Sequence, residues 1–465
     1  MVRTLRGQAF IAGSIVLHLL LAVVPAAAAP GGDALIEATT ITVAAGATPA
    51  GSAVVMCPAG TRATGGGAAP VSPEAGLDNY RVQVSGPVDS TGATVTTDTG
   101  DIPRGWAATV SHFRNDRAED FKVFVLCSRS SDAVIQAAPA DFQDSIYQGA
   151  PRCPAGRRAI GGGSGSLAAV EDGHQDYVTF SSHPVDATLT TAETANGDVA
   201  KAWSTSLLIQ NDGTTPRLFS ICSASSDAKV RSTSFTLPGT GSSTGSDTLT
   251  CPAGTRALSG GLGTNAAVDQ ASDRLEYSAP LDGSDGLAKT GDGDIARRWI
   301  SAARNNSGAP RTFRVMALCA TSEPRPDAHI KRSSDSAFVG QDVYSPTNQV
   351  RSWSATRGQT RSFNLRFEND GEDDTFTIRG CTSRNAATVT YVNANTGTNV
   401  TSKVTGNGLV FSNVAHGERR SLVLRLKPTS SAAIGSAITC RVTVTSALKT
   451  TVGDEVTARL NVVRS

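Results

Sequence analysis

Cys57-Pro58-Ala59-Gly60, followed by Gly65-Gly66-Gly67, is the stretch on which the fold turns. It returns as Cys153-Pro154-Ala155-Gly156 with Gly161-Gly162-Gly163, and again as Cys251-Pro252-Ala253-Gly254 with Gly260-Gly261. Each copy closes on a second cysteine, pairing Cys57 with Cys127, Cys153 with Cys222 and Cys251 with Cys319 at separations of 70, 69 and 68 residues. Near-constant spacing in tandem copies predicts one disulfide per copy. A zinc site is the rival reading, but the close C-x-x-C pairs and matched histidines it needs are missing.

The other landmarks keep step with the cysteines. Tyr80, Tyr177 and Tyr277 each precede a Pro-apolar-Asp turn, at Pro87, Pro184 and Pro280. A Gly-Asp-apolar-x-basic-x-Trp run follows, from Gly100 to Trp106, Gly197 to Trp203 and Gly293 to Trp299. Turn residues come next, at Asn115-Asp116, Asn211-Asp212-Gly213 and Asn305 to Gly308; such residues tolerate the positive φ of tight hairpins. Phe121, Val123 and Val125 alternate in the closing stretch of the first copy, as Phe313, Val315 and Ala317 do in the third, and period two predicts strands. The glycine triplets predict a bulge or a close approach of two backbones. A phosphate cradle would need a helix and a Gly-Lys-Ser/Thr signature after the glycines, and neither is present.

Length and composition set the bounds. A chain of 465 residues should hold several domains, and a net charge of +1 gives no pull toward nucleic acid. Aromatics at 5% imply thin cores that benefit from cross-links. Arg3 and Arg6, the apolar run Ala9 to Val24, and Ala26-Ala27-Ala28 read as a signal peptide, residues 1–28, cleaved after Ala28. The rival is an uncleaved membrane anchor, for which the run is short. Export would place the eight cysteines where disulfides persist, leaving a secreted chain with no integral membrane span.

The expected architecture is all-β: three disulfide-linked, β-sandwich-like repeats at 33–131, 132–226 and 227–321, a linker at 322–341, and an Ig-like β-sandwich at 342–465. Beads on a string is the expected arrangement of the repeats, with a closed pseudo-three-fold assembly as the alternative. Asp-Ala-x-apolar occurs at Asp33, Asp132, Asp227 and Asp327, so four such strands flank three copies and each could belong to either neighbour. Pro238 to Ser246 reads as the plainest linker between copies. Its matches to a sortase signal (Leu237 to Gly241) and a nucleophile elbow (Gly241 to Gly245) lack the context either needs. In the C-terminal part, Phe363, Leu365 and Phe367 alternate, as do Phe376 and Ile378, and Cys381 and Cys440 are the natural pair. The acidic turn Glu368 to Asp374 reads as a solvated hairpin tip, with calcium as its rival.

The three copies resemble the Cys-Pro-x-Gly, Gly-Gly-Gly, Trp, Asn, Cys modules of exported actinobacterial proteins, a resemblance that implies location more than activity. They are also similar to vitelline membrane outer layer protein, which implies a three-fold β-prism. Residues 342–465 resemble the Ig-like modules of bacterial extracellular glycosidases and surface proteins, through Asn369-Asp370-Gly371, Asp374-Thr375-Phe376, Asn399-Val400-Thr401, Lys427-Pro428 and Gly435.

Function follows only in outline. No cofactor or metal is expected, and no catalytic residue is assigned. His112, His174, His183, His329 and His416 recur at no common position. The expectation is a non-enzymatic protein for envelope structure, adhesion or ligand display, whose partner is an envelope component, a glycan or another surface protein. The alternatives are a carbohydrate-binding protein that stacks sugars on Trp106, Trp203 and Trp299, and an extracellular hydrolase. Repeated tryptophans are more often core, packed near the disulfide.

Overall fold

The structure is a computed structural model that describes residues 31–464, apart from 47–49, 74–79, 113–116, 144–145, 166–176, 210–214, 240, 265–272, 284–285, 323, 342 and 345–348. The signal peptide, His174 and the turns at Asn115-Asp116 and Asn211-Asp212-Gly213 lie outside the described residues.

Six strands recur in each copy. The opening strands are Leu35–Val43, Val134–Pro139 and Lys229–Leu237. The second strands, Ala50–Met56, Ile146–Gly149 and Ser243–Thr250, lead into the first cysteine. Glycine strands follow at Arg62–Pro70, Arg158–Gly165 and Thr255–Thr264, and tyrosine strands at Tyr80–Val88, Tyr177–Val185 and Asp273–Leu281. The tryptophan strands are Gly105–His112, Ala202–Ile209 and Arg298–Asn305; the closing strands are Glu119–Ser128, Arg217–Ser223 and Arg311–Thr321.

No copy forms a sheet of its own. Every sheet takes the opening, closing and glycine strands of one copy and the tyrosine, tryptophan and second strands of the copy before it. Copy two joins copy one in this way, copy three joins copy two, and copy one joins copy three. The result is a closed pseudo-three-fold prism, and it replaces the expected string of beads. The neighbouring copies meet at one residue pair per sheet: Ala68 with Ser278, Ser164 with Ser85, and Leu262 with Ser182.

The glycine triplets explain why the copies prefer to share sheets. A Cβ on Gly67, Gly163 or Gly261 would collide with the carbonyl of Ser278, Ser85 or Ser182 of the adjoining copy. The middle position holds the tryptophan: a Cβ on Gly66, Gly162 or Gly260 would meet the ring of Trp106, Trp203 or Trp299. Register shifts between Ala63 and Gly65, Ala159 and Gly161, and Ala257 and Ser259 mark one bulge per glycine strand. Copy three has Ser259 where the others have glycine, and its hydroxyl donates to the Ile160 carbonyl at 2.6 Å. One apolar cluster containing residues from all three copies, Phe124, Ile160 and Leu258 among them, fills the interior.

The disulfides run between sheets. Cys57, Cys153 and Cys251 each follow a second strand, whereas Cys127, Cys222 and Cys319 lie on closing strands. Each copy contributes those two strands to different sheets, so the three bridges tie the three sheets in a triangle. Closing a loop of this size contributes about 4 kcal/mol through the unfolded chain.

The C-terminal unit is a β-sandwich with its own core, built from a four-stranded and a five-stranded sheet. Phe363, Leu365, Phe367, Phe376 and Ile378 are fully buried, as their alternation predicts. Cys381 and Cys440 are bridged, and the Tyr391 hydroxyl lies 3.2 Å from the Cys440 sulfur. Two stretches expected to be linkers contain strand residues. Residues 322–341 carry Pro326–Arg332, paired with Arg361–Asn369 of the sandwich, and the Pro238–Ser246 stretch runs into the strand Ser243–Thr250. All four Asp-Ala-x-apolar strands therefore pair within the unit that follows them.

Candidate functional site

The neighbouring copies clamp each opening strand with one recurring set of contacts, called a seam here. In the first seam, Gly100 N–H donates to the Ile135 carbonyl and Ile135 N–H donates to Asp101, each at 2.9 Å. Gly197, Asp198 and Val230 repeat this in the second seam, and Gly293, Asp294 and Ile36 in the third. An arginine reinforces each one. Arg62 donates to the Ala133 carbonyl at 2.8 Å, Arg158 to Ala228 at 3.1 Å and Arg256 to Ala34 at 2.8 Å. The third seam joins the end of the ring to its beginning.

The sandwich sits on that third seam. Glu372 ion-pairs with Arg297 and lies 3.6 Å from Arg256, while Asp373 takes Arg297 at 3.1 Å. The imidazole of His416 spans the junction, with Nε2 3.0 Å from the Gly293 carbonyl and Nδ1 3.1 Å from the Gly371 carbonyl. Both neighbours are acceptors, so both hydrogen bonds form only when the ring carries two protons. The acidic turn is thus an interface element and not a solvated tip: Asn369, Glu372 and Asp374 are buried. Asn369 shapes it by donating to the Glu372 and Val414 carbonyls.

Beside this contact a cleft of about 310 Å³ opens between the two units. Its prism wall includes Asp33, Glu37 and Arg129, and its sandwich wall Arg325, Tyr344 and Asp370. Burial pushes the Asp33 carboxyl up, but hydrogen bonds from Ser128, Ser130 and the Arg129 N–H, together with the Arg325 charge, outweigh it and hold the group below the usual range. Burial and the nearby Asp292 raise Glu37. Tyr344 donates to Asp370 at 2.7 Å and carries the Arg325 guanidinium 4.2 Å from its ring centroid. Charges of both signs line the cleft, so it suits a small polar group better than an apolar one. Among the described residues, no group of three or more His, Cys, Asp or Glu could hold a metal ion.

The residues singled out from sequence fall elsewhere. Trp106, Trp203 and Trp299 are at most 2% exposed, and each indole donates to a serine on the tyrosine strand, Ser85, Ser182 or Ser278, at 2.8 Å. They lie over the middle glycines and offer no face on which a sugar could stack. Ser243, at the centre of the nucleophile-elbow match, opens a strand and donates to the Pro238 carbonyl. The four described histidines are dispersed. His112 faces the Val43 carbonyl and His183 the Thr191 hydroxyl. His329 accepts from Arg366 at Nδ1, so its Nε2 carries the proton shared with Asp327 at 2.6 Å.

The seam arginines received no role from sequence reasoning, although a basic residue stands five positions after the first cysteine in every copy. That spacing is the signal that could have found them.

Taken together, fold and site define an all-β protein with five sheets among the described residues and four disulfides, its ring closed under a C-terminal sandwich. The disulfides fit an oxidising compartment. No helix among the described residues is long and apolar enough to cross a membrane. No protein-family model matches the chain, and no curated protein matches it.

Proposed function

We propose that this is a secreted, non-enzymatic protein that serves extracellular or envelope structure, adhesion or ligand display, with the Ig-like sandwich as a docked accessory module. The observation that carries the reading is the triangle of disulfides between sheets, a device suited to a small-residue core exposed to an oxidising medium. The chemistry of the histidines supports it. His329 has Asp327 on one nitrogen and Arg366 on the other, so the nitrogen that would activate a nucleophile is already occupied. His416 bridges two backbone carbonyls, and His112 and His183 are buried.

The test is fractionation of the producing cells, followed by intact-mass analysis of the mature chain without reductant. The reading expects an extracellular or envelope-bound protein that begins after Ala28 and lacks eight hydrogens relative to the reduced form. A cytosolic protein with titratable thiols would overturn it.

A further inference from the structure

The pseudo-three-fold axis makes three copies of the surface on which the sandwich docks, and the sandwich covers only one. Arg256 and Arg297 receive Glu372 and Asp373 at the third seam. Their positional equivalents are Arg62 with Arg104 at the first seam and Arg158 with Lys201 at the second. The backbone is the same at all three: the N–H groups of Arg104, Lys201 and Arg297 donate to Val88, Val185 and Leu281, and their carbonyls accept from Cys57, Cys153 and Cys251. The side chains differ in cover. Arg256 is 1% exposed and Ile295 3%, whereas Arg62, Arg158, Ile102 and Val199 are half-buried. Arg62, Arg104 and Arg158 reach only backbone carbonyls, of Ala133, Thr61 and Ala228, and no carboxylate pairs with them or with Lys201 among the described residues. The chain's own sandwich cannot fill these places, because only residues 322–325 separate the last prism strand from its first strand.

We propose that the first and second seams are interaction surfaces for a partner protein that presents two adjacent carboxylates on an exposed β-turn, taken as the third seam takes Glu372 and Asp373. The basic pair supplies the charge, the half-buried Ile102 or Val199 supplies apolar contact, and the Gly100 or Gly197 turn offers backbone acceptors equivalent to the Gly293 carbonyl. Asp101, Asp198 and Asp294 occupy equivalent places, so the third seam accepts an acidic turn despite its own aspartate. This deepens the adhesion and display reading by naming the surface and the chemistry it takes. The experiment is made on purified, oxidised protein, so its failure would leave the test of location standing.

The probe is a fluorescently labelled cyclic peptide carrying the sequence Asn369–Thr375, titrated with the full mature chain and followed by anisotropy. The expected result is saturable binding that weakens with salt and falls at least about tenfold when the acids of the peptide become amides. The same loss is expected for the double variant Arg104→Gln/Lys201→Gln, which leaves the Arg62 and Arg158 ring contacts in place. An unchanged melting temperature would show that variant to be folded. If it melts early, the double variant Ile102→Asp/Val199→Asp in the otherwise intact chain serves instead, with the same expected loss. Absence of saturable binding up to about 1 mM overturns the proposal. So does binding that survives both variants but disappears with Arg297→Gln, since the peptide would then be displacing the sandwich.

Discussion

Arg256 donates to the carbonyl of Ala34, 222 residues earlier in the chain, at 2.8 Å, and turns a second nitrogen toward Glu372 of the sandwich at 3.6 Å. One buried guanidinium thus meets the end of the ring, its beginning and the unit that covers the join. The equivalent arginines, Arg62 and Arg158, make only the ring contact.

Arg256→Ala should therefore destabilise far more than its counterparts. The change costs about 3 kcal/mol, because it deletes a fully buried charged hydrogen bond to the Ala34 carbonyl together with the attraction to Glu372, which Arg297 still pairs. Arg62→Ala or Arg158→Ala loses a hydrogen bond to a backbone carbonyl at a half-buried site, about 1 kcal/mol. Urea midpoints of the three variants, measured with disulfides intact, check the ranking.

Gly261→Ala should be among the most damaging single-methyl additions to the prism. The new Cβ would collide with the Ser182 carbonyl of the adjoining copy, and backbone on both sides must move. A loss of about 3 kcal/mol is expected, as for other overpacked sites. Gly60→Ala is the control: φ is +85° there, but nothing lies within 4 Å of the added atom, so only backbone strain remains, about 1 kcal/mol. Thermal melts of both variants test the contrast.

Two buried groups set opposing pH dependences. His183 is held down to about 4 from 6.5, chiefly by burial, with Arg314 adding to it. The folded state binds fewer protons there, so its contribution is present above pH 6.5 and is lost as pH falls toward about 4. Asp454 is pushed up to about 6 from 3.8, again chiefly by burial. The folded state binds more protons there, so stability falls as pH rises through that window. In the wild type the two slopes offset each other. Asp454→Asn should steepen the loss of melting temperature on acidification from about pH 6.5 to 4.5, and His183→Gln should flatten or reverse it.

Cleaving the bridge by Cys251→Ala/Cys319→Ala should remove about 4 kcal/mol while leaving the strands paired. It should also loosen the third seam, because the Cys251 N–H donates to the Arg297 carbonyl beside the sandwich contact. A lower urea midpoint with unchanged far-ultraviolet circular dichroism is the expected outcome.

Strand identity was legible because one buried face per strand leaves a period of two, as Phe363, Leu365 and Phe367 show. The cysteine pairs were legible because tandem copies repeat their spacing. The sharing of sheets was not. A glycine triplet announces a close approach without saying which backbone approaches, and Ser278, the partner of Ala68, lies in another copy. The same limit applies to Glu368 to Asp374: a run of acids reads as solvated until the arginines that meet it, Arg256 and Arg297, are brought close by the fold. The seam arginines repeated at a fixed offset from cysteine, but their partners are backbone carbonyls, which leave no trace in sequence.

Ring closure is most directly tested by hydrogen exchange at single amides of the mature protein. Ile36 N–H donates to Asp294 and Gly293 N–H to Ile36, each at 2.8 Å, and both bonds exist only if the first and third copies meet. Exchange at Ile36 and Gly293 as slow as at Ile135 and Gly100, their equivalents in the first seam, is the predicted result. Exchange at the rate of an unprotected loop at Ile36 and Gly293, with Ile135 and Gly100 still protected, would mean that the ring is open.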